Sequence, residues 1–141
     1  MSIQKTASAQ WKGSVKEGMG SLSTQSGALS SLPYGFDTRF EGVTGINPEE
    51  LVGAAHAGCF SMALALMLGE AGFEPEQIDT QATVTLVPDS LIITSVHLET
   101  SARVPGANRA AFDKAVQDAK DNCPISKLFT ASITLDATLV G

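Results

Sequence analysis

The chain has 141 residues, 43% of them hydrophobic, enough for one domain with a sizeable core and too many for disorder. A formal net charge of −6 without any basic cluster excludes nucleic acid and an anionic membrane surface as expected partners. The opening residues Met1 to Thr6 lack an apolar secretory stretch, so the expected compartment is the cytoplasm, where a cysteine pair is more often catalytic, redox-sensing or metal-binding than structural.

From Ile3 to Trp11 the residues Ile3, Ala7, Ala9 and Trp11 alternate with Gln4, Thr6, Ser8 and Gln10, the period of a half-buried strand, with Lys5 the exception. Glycine-rich Glu17 to Gly20 then turns the chain into Ser21 to Gln25, the expected hairpin partner. Leu32 to Gly42 mixes turn residues with Phe36 and Phe40 and reads as a loop or short strand. It also holds the first arginine, Arg39. Set among aromatics, this side chain is placed for partial desolvation and then needs an anionic partner, although an exposed surface arginine is the plainer reading.

Asn47 to Gly69 predicts one long helix. Asn47 caps it, Pro48 suits its first position, Glu50 stands three after the cap as in a capping box, and both Glu49 and Glu50 sit where the helix dipole favours negative charge. No charge occurs between Glu50 and Glu70, so the helix is apolar all round and expected to be buried. It just reaches membrane-span length, but His56 and Ser61 interrupt it, acids flank it at both ends, and the remaining chain alternates like a soluble sheet. Into this dry element fall Cys59 and His56. The plain reading of Cys59 is a small buried hydrophobe. His56, one turn earlier, reads as an interior histidine hydrogen-bonded to backbone or to a partner helix, in preference to a base for Cys59.

Beyond Gly72, Ala82, Val84 and Leu86 alternate with Gln81, Thr83 and Thr85, and Pro88 to Ser90 forms a turn. Leu91 to Val104 predicts a longer strand with Ile92, Val96 and Leu98 on one side and His97, a sheet-surface histidine, on the other. After Pro105-Gly106, Phe112, Ala115, Val116 and Ala119 mark an amphipathic helix ending near Asn122. If Pro124 opens a short helix, Cys123 caps it, where free backbone amides favour the thiolate. Ala131, Ile133, Leu135, Ala137 and Leu139 then alternate as a final strand. A zinc site from His56, Cys59, Cys123 and His97 has suitable ligand types but lacks ligand-dense spacing, and no nucleotide or haem motif occurs, so neither metal nor cofactor is expected. The apolar helix needs cover on every side, more than one small sheet and one amphipathic helix supply, so a second subunit is expected.

Asn47-Pro48-Glu49-Glu50-Leu51 leading to Ala54-Ala55-His56-Ala57-Gly58-Cys59-Phe60, with Asn122-Cys123-Pro124-Ile125-Ser126 and upstream Thr38-Arg39-Phe40-Glu41-Gly42, is a specific combination. On these residues the chain resembles, essentially end to end, the osmotically inducible protein C (OsmC) and organic hydroperoxide resistance (Ohr) family. The resemblance implies a single α+β domain over residues 1–141 with antiparallel sheets and long central helices. It also implies an intertwined homodimer with active sites at the subunit boundary. The implied activity is a thiol peroxidase in which Cys59 attacks the peroxide, Cys123 resolves the product, and Arg39 and Glu49 form the supporting ion pair. The hydroperoxide-resistance branch takes its arginine from nearer the N-terminus, whereas no arginine precedes Arg39 here, which places the chain in the OsmC-like branch. Glu49 directly follows Pro48, while Glu50 has its own capping role.

These roles make physical sense. Burial alone raises a thiol pKa from about 8.5, and a nearby Arg39, held two-pronged by Glu49, reverses that shift and stabilises the leaving oxygen. The sulfenic acid left on Cys59 overoxidises unless Cys123 condenses with it. An external dithiol, either a small thiol or a lipoyl- or thioredoxin-type protein, must then reduce the disulfide. The apolar surroundings of Cys59, with Phe36 and Phe40 near Arg39, favour a hydrophobic organic hydroperoxide as substrate. The competing expectation is a non-catalytic protein that binds a small apolar ligand and keeps inert cysteines.

Overall fold

The computed structural model describes Met1–Gly141 and divides into two compact units, Met1–Leu51 and Val52–Gly141. In the first, β1 (Ala7–Lys12), β2 (Met19–Thr24) and β3 (Leu32–Tyr34) form an antiparallel sheet in the order β1-β2-β3. The hairpin is the expected one, but β1 begins at Ala7, leaving Ile3 outside it, and every β1 residue is exposed where half were expected to be buried. A three-stranded sheet has little to bury itself with, and across its strands the Trp11 and Tyr34 rings pack 5.5 Å apart. Gly20 lies in register between them, and a Cβ there would meet both rings within 2.6 Å, so no larger residue fits.

The segment expected to be loop or strand is partly helical. After β3, α1 (Phe36–Phe40) makes little more than one turn, started by the Gly35 amide donating to Thr38 Oγ1 at 3.0 Å and the Thr38 amide donating to Asp37 Oδ1 at 2.8 Å. Five residues are too few for an apolar period to declare itself.

The long helix α2 (Pro48–Glu70) starts where the Asn47-Pro48 signal places it, with Asn47 Oδ1 accepting the Glu50 amide at 2.8 Å. Its first residues belong to the first unit. In the second unit it is followed by β4 (Gln77–Val87), β5 (Ile92–Arg103), α3 (Arg109–Asn122), α4 (Pro124–Leu128) and β6 (Ser132–Val140). By length and composition α2 is able to cross a membrane, yet one stripe of it is committed to a protein core: His56, Phe60, Leu64 and Leu68, spaced by four, are fully buried. Phe60, Leu64 and Leu68 pack with Val96, Leu98 and Ala102 of β5 and with Phe112, Val116 and Ala119 of α3. Gly53 lets the helix approach β4, where an added Cβ would lie 3.5 Å from the Ala82 carbonyl, and Ser61 Oγ donates to Thr80 Oγ1 at 2.8 Å. Contrary to the all-round burial expected, Met62 and Leu66 on the opposite side are 78% and 57% exposed.

The second sheet runs β4-β5-β6. β4 and β5 pair antiparallel, as expected of this fold, but β6 lies parallel to β5. A parallel return needs a long crossover, and α3 with α4 supplies it across the core face. One expected side-chain placement also changes. Pairing moves from Thr85↔Ser95 to Leu86↔Ile93, so a bulge at Thr94 reverses the alternation; Ile92 is exposed while Val96 and Leu98 are buried. A period-of-two reading cannot see an inserted residue. Helix α3 starts at Arg109, earlier than its apolar stripe, because Asn108 Oδ1 accepts the Ala111 amide at 2.8 Å.

Candidate active site

Residues 52–141 bring the two cysteines together although they are far apart in sequence. Cys59 stands in the middle of α2, half-buried against the core, and Cys123 is 1% exposed at the junction that ends α3 and caps α4. Both thiols are free, and each perturbs the ionisation of the other. Proximity follows from the fold: α2 lies on the core face, and the crossover that carries β6 to its parallel place delivers Cys123 to that same face.

The expected cap at Cys123 is present. Its sulfur accepts the Ser126 backbone amide at 3.4 Å, and Ser126 Oγ lies 3.3 Å away. Burial opposes ionisation of this thiol, but the Ser126 hydroxyl and amide, Cys59 and the Ile125 amide together outweigh it and pull the thiol below its ordinary range. Cys59 is shifted the other way. Burial pushes its thiol up, the Ile125 amide works against this, and the neighbouring Cys123 adds to it.

His56 is fully buried, as expected of an interior histidine, and within the chain its partner is a side chain where backbone was one expectation. Its Nε2 lies 2.8 Å from Ser126 Oγ, and the ring meets the edge of Phe129 at 5.2 Å. Its Nδ1 is buried without a hydrogen-bond partner, and burial lowers the imidazole pKa from its ordinary 6.5. Ser126 is the site-lining residue that sequence reading missed. The available signal was its position three residues after the capping Cys123, where a capping-box side chain reaches back.

His97 lies on the other face of the sheet, 3.2 Å from Asp136 and beside Glu99, so it does not converge with His56, Cys59 and Cys123. Its reading as a sheet-surface residue holds.

In residues 1–51, Arg39 and Glu49 form the two-pronged pair: Nε donates to Oε1 at 2.9 Å and Nη2 to Oε2 at 2.8 Å. These bonds hold the guanidinium still more firmly protonated than usual, and it lies 5.3 Å over the Phe40 ring. Asn47 fixes the geometry twice, capping α2 through Oδ1 and donating Nδ2 to the Thr38 carbonyl of α1 at 3.2 Å. The Arg39 side chain keeps 36% of its surface open, beside a cavity of about 220 Å³ lined by Trp11, Val15, Tyr34, Phe36 and Phe40.

Residues 40–138 match the model of a family described as OsmC-like protein. Over 141 residues, 99% of each chain, the sequence is 54% identical to the protein named peroxiredoxin OsmC of Escherichia coli (strain K12). Among solved structures, an OsmC-like protein of unknown function from Vibrio cholerae superposes with a TM-score of 0.75 at 16% identity, covering 96% of this chain and 99% of that one. The organic hydroperoxide resistance protein OhrB of Bacillus subtilis superposes with a TM-score of 0.64 at 23% identity, covering 96% and 98%.

Proposed function

The chain belongs to the OsmC-like protein family, and on that footing we propose that it is a cysteine-based peroxidase that reduces organic hydroperoxides to alcohols. The observation that carries this reading is the meeting of two free thiols, one on the central helix and one at a helix cap. In the proposed cycle the Cys59 thiolate attacks the terminal peroxide oxygen. The O–O bond breaks, sulfur carries away the OH as a sulfenic acid, and the alkoxide takes up a proton to become the alcohol. Cys123 then condenses with the sulfenic acid, releasing water and forming the Cys59–Cys123 disulfide. An external dithiol, small or carried on a lipoyl- or thioredoxin-type protein, returns both thiols and leaves as its own disulfide.

Burial holds the Cys59 thiol up, so its ionisation needs a cation. Arg39 is proposed to supply that charge and to stabilise the leaving oxygen, with Glu49 fixing the direction of the guanidinium. The aromatic cavity beside Arg39 supports an apolar hydroperoxide as substrate. The uncovered Met62 and Leu66 on α2 support a homodimer.

The test is turnover of cumene hydroperoxide with a dithiol by the purified chain, read beside its intact mass after one equivalent of peroxide. Consumption with a mass loss of one H₂ is expected. Unreacted thiols would instead favour the binding of a small apolar ligand in the aromatic cavity. Sedimentation of the purified chain at a monomer's rate would remove the dimer.

A further inference from the structure

Three polar side chains shielded from water form a line across the core: Cys123, Ser126 and His56 are 1%, 6% and 0% exposed. Ser126 Oγ stands between the other two, 3.3 Å from Cys123 Sγ and 2.8 Å from His56 Nε2. It is the imidazole's sole hydrogen-bond partner, because Nδ1 has none. Leaving a buried polar atom unpaired is costly, and an apolar residue filling the same space would avoid that cost. The proposed peroxidase cycle uses neither Ser126 nor His56.

We propose that His56, acting through the Ser126 hydroxyl, accepts the proton of the Cys123 thiol as that thiol attacks the Cys59 sulfenic acid. This deepens the peroxidase reading and rests on it. The Cys123 proton moves to Ser126 Oγ while the Ser126 hydroxyl proton moves to His56 Nε2. The electron pair left on the Cys123 sulfur forms the bond to Cys59 Sγ, and the S–O bond breaks with its pair leaving on hydroxide. The imidazolium proton returns through Ser126 to the hydroxide. The sum is thiol plus sulfenic acid giving disulfide plus water, with nothing left over.

Acceptance at Nε2 requires the tautomer with hydrogen on Nδ1, the atom that has no partner to hold it otherwise. Burial keeps the imidazole neutral at neutral pH and therefore free to accept. Within residues 52–141, the groups acting on the two sulfurs are each other, Ser126 and the Ile125 amide, with no charged side chain among them. His56 itself meets Ser126 and the Phe129 ring edge. Touching neither sulfur, it acts as a positioning residue through Ser126.

Two measurements test this. In a Cys59→Ser background, where Cys123 is the one remaining thiol, its ultraviolet thiolate absorbance is titrated with and without Ser126→Ala. The expected result is a rise of about one pKa unit with Ser126→Ala, reversed by Ser126→Thr, which keeps the hydroxyl. In the chain with both cysteines, given one equivalent of cumene hydroperoxide, disulfide closure at neutral pH is expected to slow about tenfold in Ser126→Ala, with its pH profile moved upward by the same unit. His56→Gln, which keeps the core filled, should move the profile in the same direction. An unshifted titration, or a slowing equal at every pH, would overturn the relay while sulfenic acid trapped on Cys59 with dimedone leaves the peroxidase reading standing. If no sulfenic acid is trapped, the peroxidase reading fails and the relay falls with it.

Discussion

The two units position chemistry by different means. Every buried hydrophobic residue of the chain lies between Phe60 and Cys123, in the second unit, and the thiols sit in or against that core. In the first unit β1 is wholly exposed, and order rests on directional bonds: Arg39 to Glu49, Asn47 to Thr38, Thr38 to Gly35. Packing is suited to a sulfur, whose ionisation is tuned by exclusion of water and by a few aimed amides. A guanidinium is better served by a bidentate carboxylate, because it stays charged wherever it is and needs only a direction. Substitutions in the two units should therefore separate activity from stability.

The largest effect is expected from Cys59→Ser, which should reduce dithiol-dependent peroxide consumption to the uncatalysed rate while the urea midpoint barely moves; turnover near the wild-type level in that variant would defeat the peroxidase assignment. Phe112→Ala empties a fully buried site in the second unit and should cost about 3–5 kcal/mol in urea unfolding. Arg39→Lys should show the reverse pattern. Losing the fork is expected to cost on the order of a hundredfold in turnover but about 1 kcal/mol or less in stability, because the pair is partly open to water. A stability loss as large as that of Phe112→Ala would erase the distinction between the units.

A smaller effect belongs to His56. Its folded pKa lies below the unfolded value of about 6.5, so between the two the unfolded chain binds more protons and stability rises with pH. Full stability is expected above about pH 6.5, falling as the pH drops through that window and levelling once the folded histidine also protonates. His56→Gln should flatten this acid limb of the urea-midpoint curve. The smallest effect is expected from Trp11→Ala on the open sheet, about 1 kcal/mol from losing the Tyr34 contact, read by thermal unfolding.

Much of the architecture is written locally. Asn47-Pro48 marks the start of α2 by capping chemistry, Cys123-Pro124 marks α4 in the same way, and the alternations in β4 and β6 identify strands with one face on a core. What escaped has identifiable causes. The turn of α1 is shorter than any helical period, and the bulge at Thr94 shifts register without leaving a compositional mark. The fork between Arg39 and Glu49 is implied by family resemblance alone, because nothing in their spacing compels it.

Capping, periodicity and charge-free runs act over a few residues, so the amino-acid order by itself determined which segments became helix or strand and which sulfur would cap a helix. The parallel placement of β6, the approach of Cys59 to Cys123 and the line from Cys123 through Ser126 to His56 were decided only when the chain closed on itself. Each depends on contacts between distant segments, selected by burial of a shared core, and no short stretch of sequence carries that information.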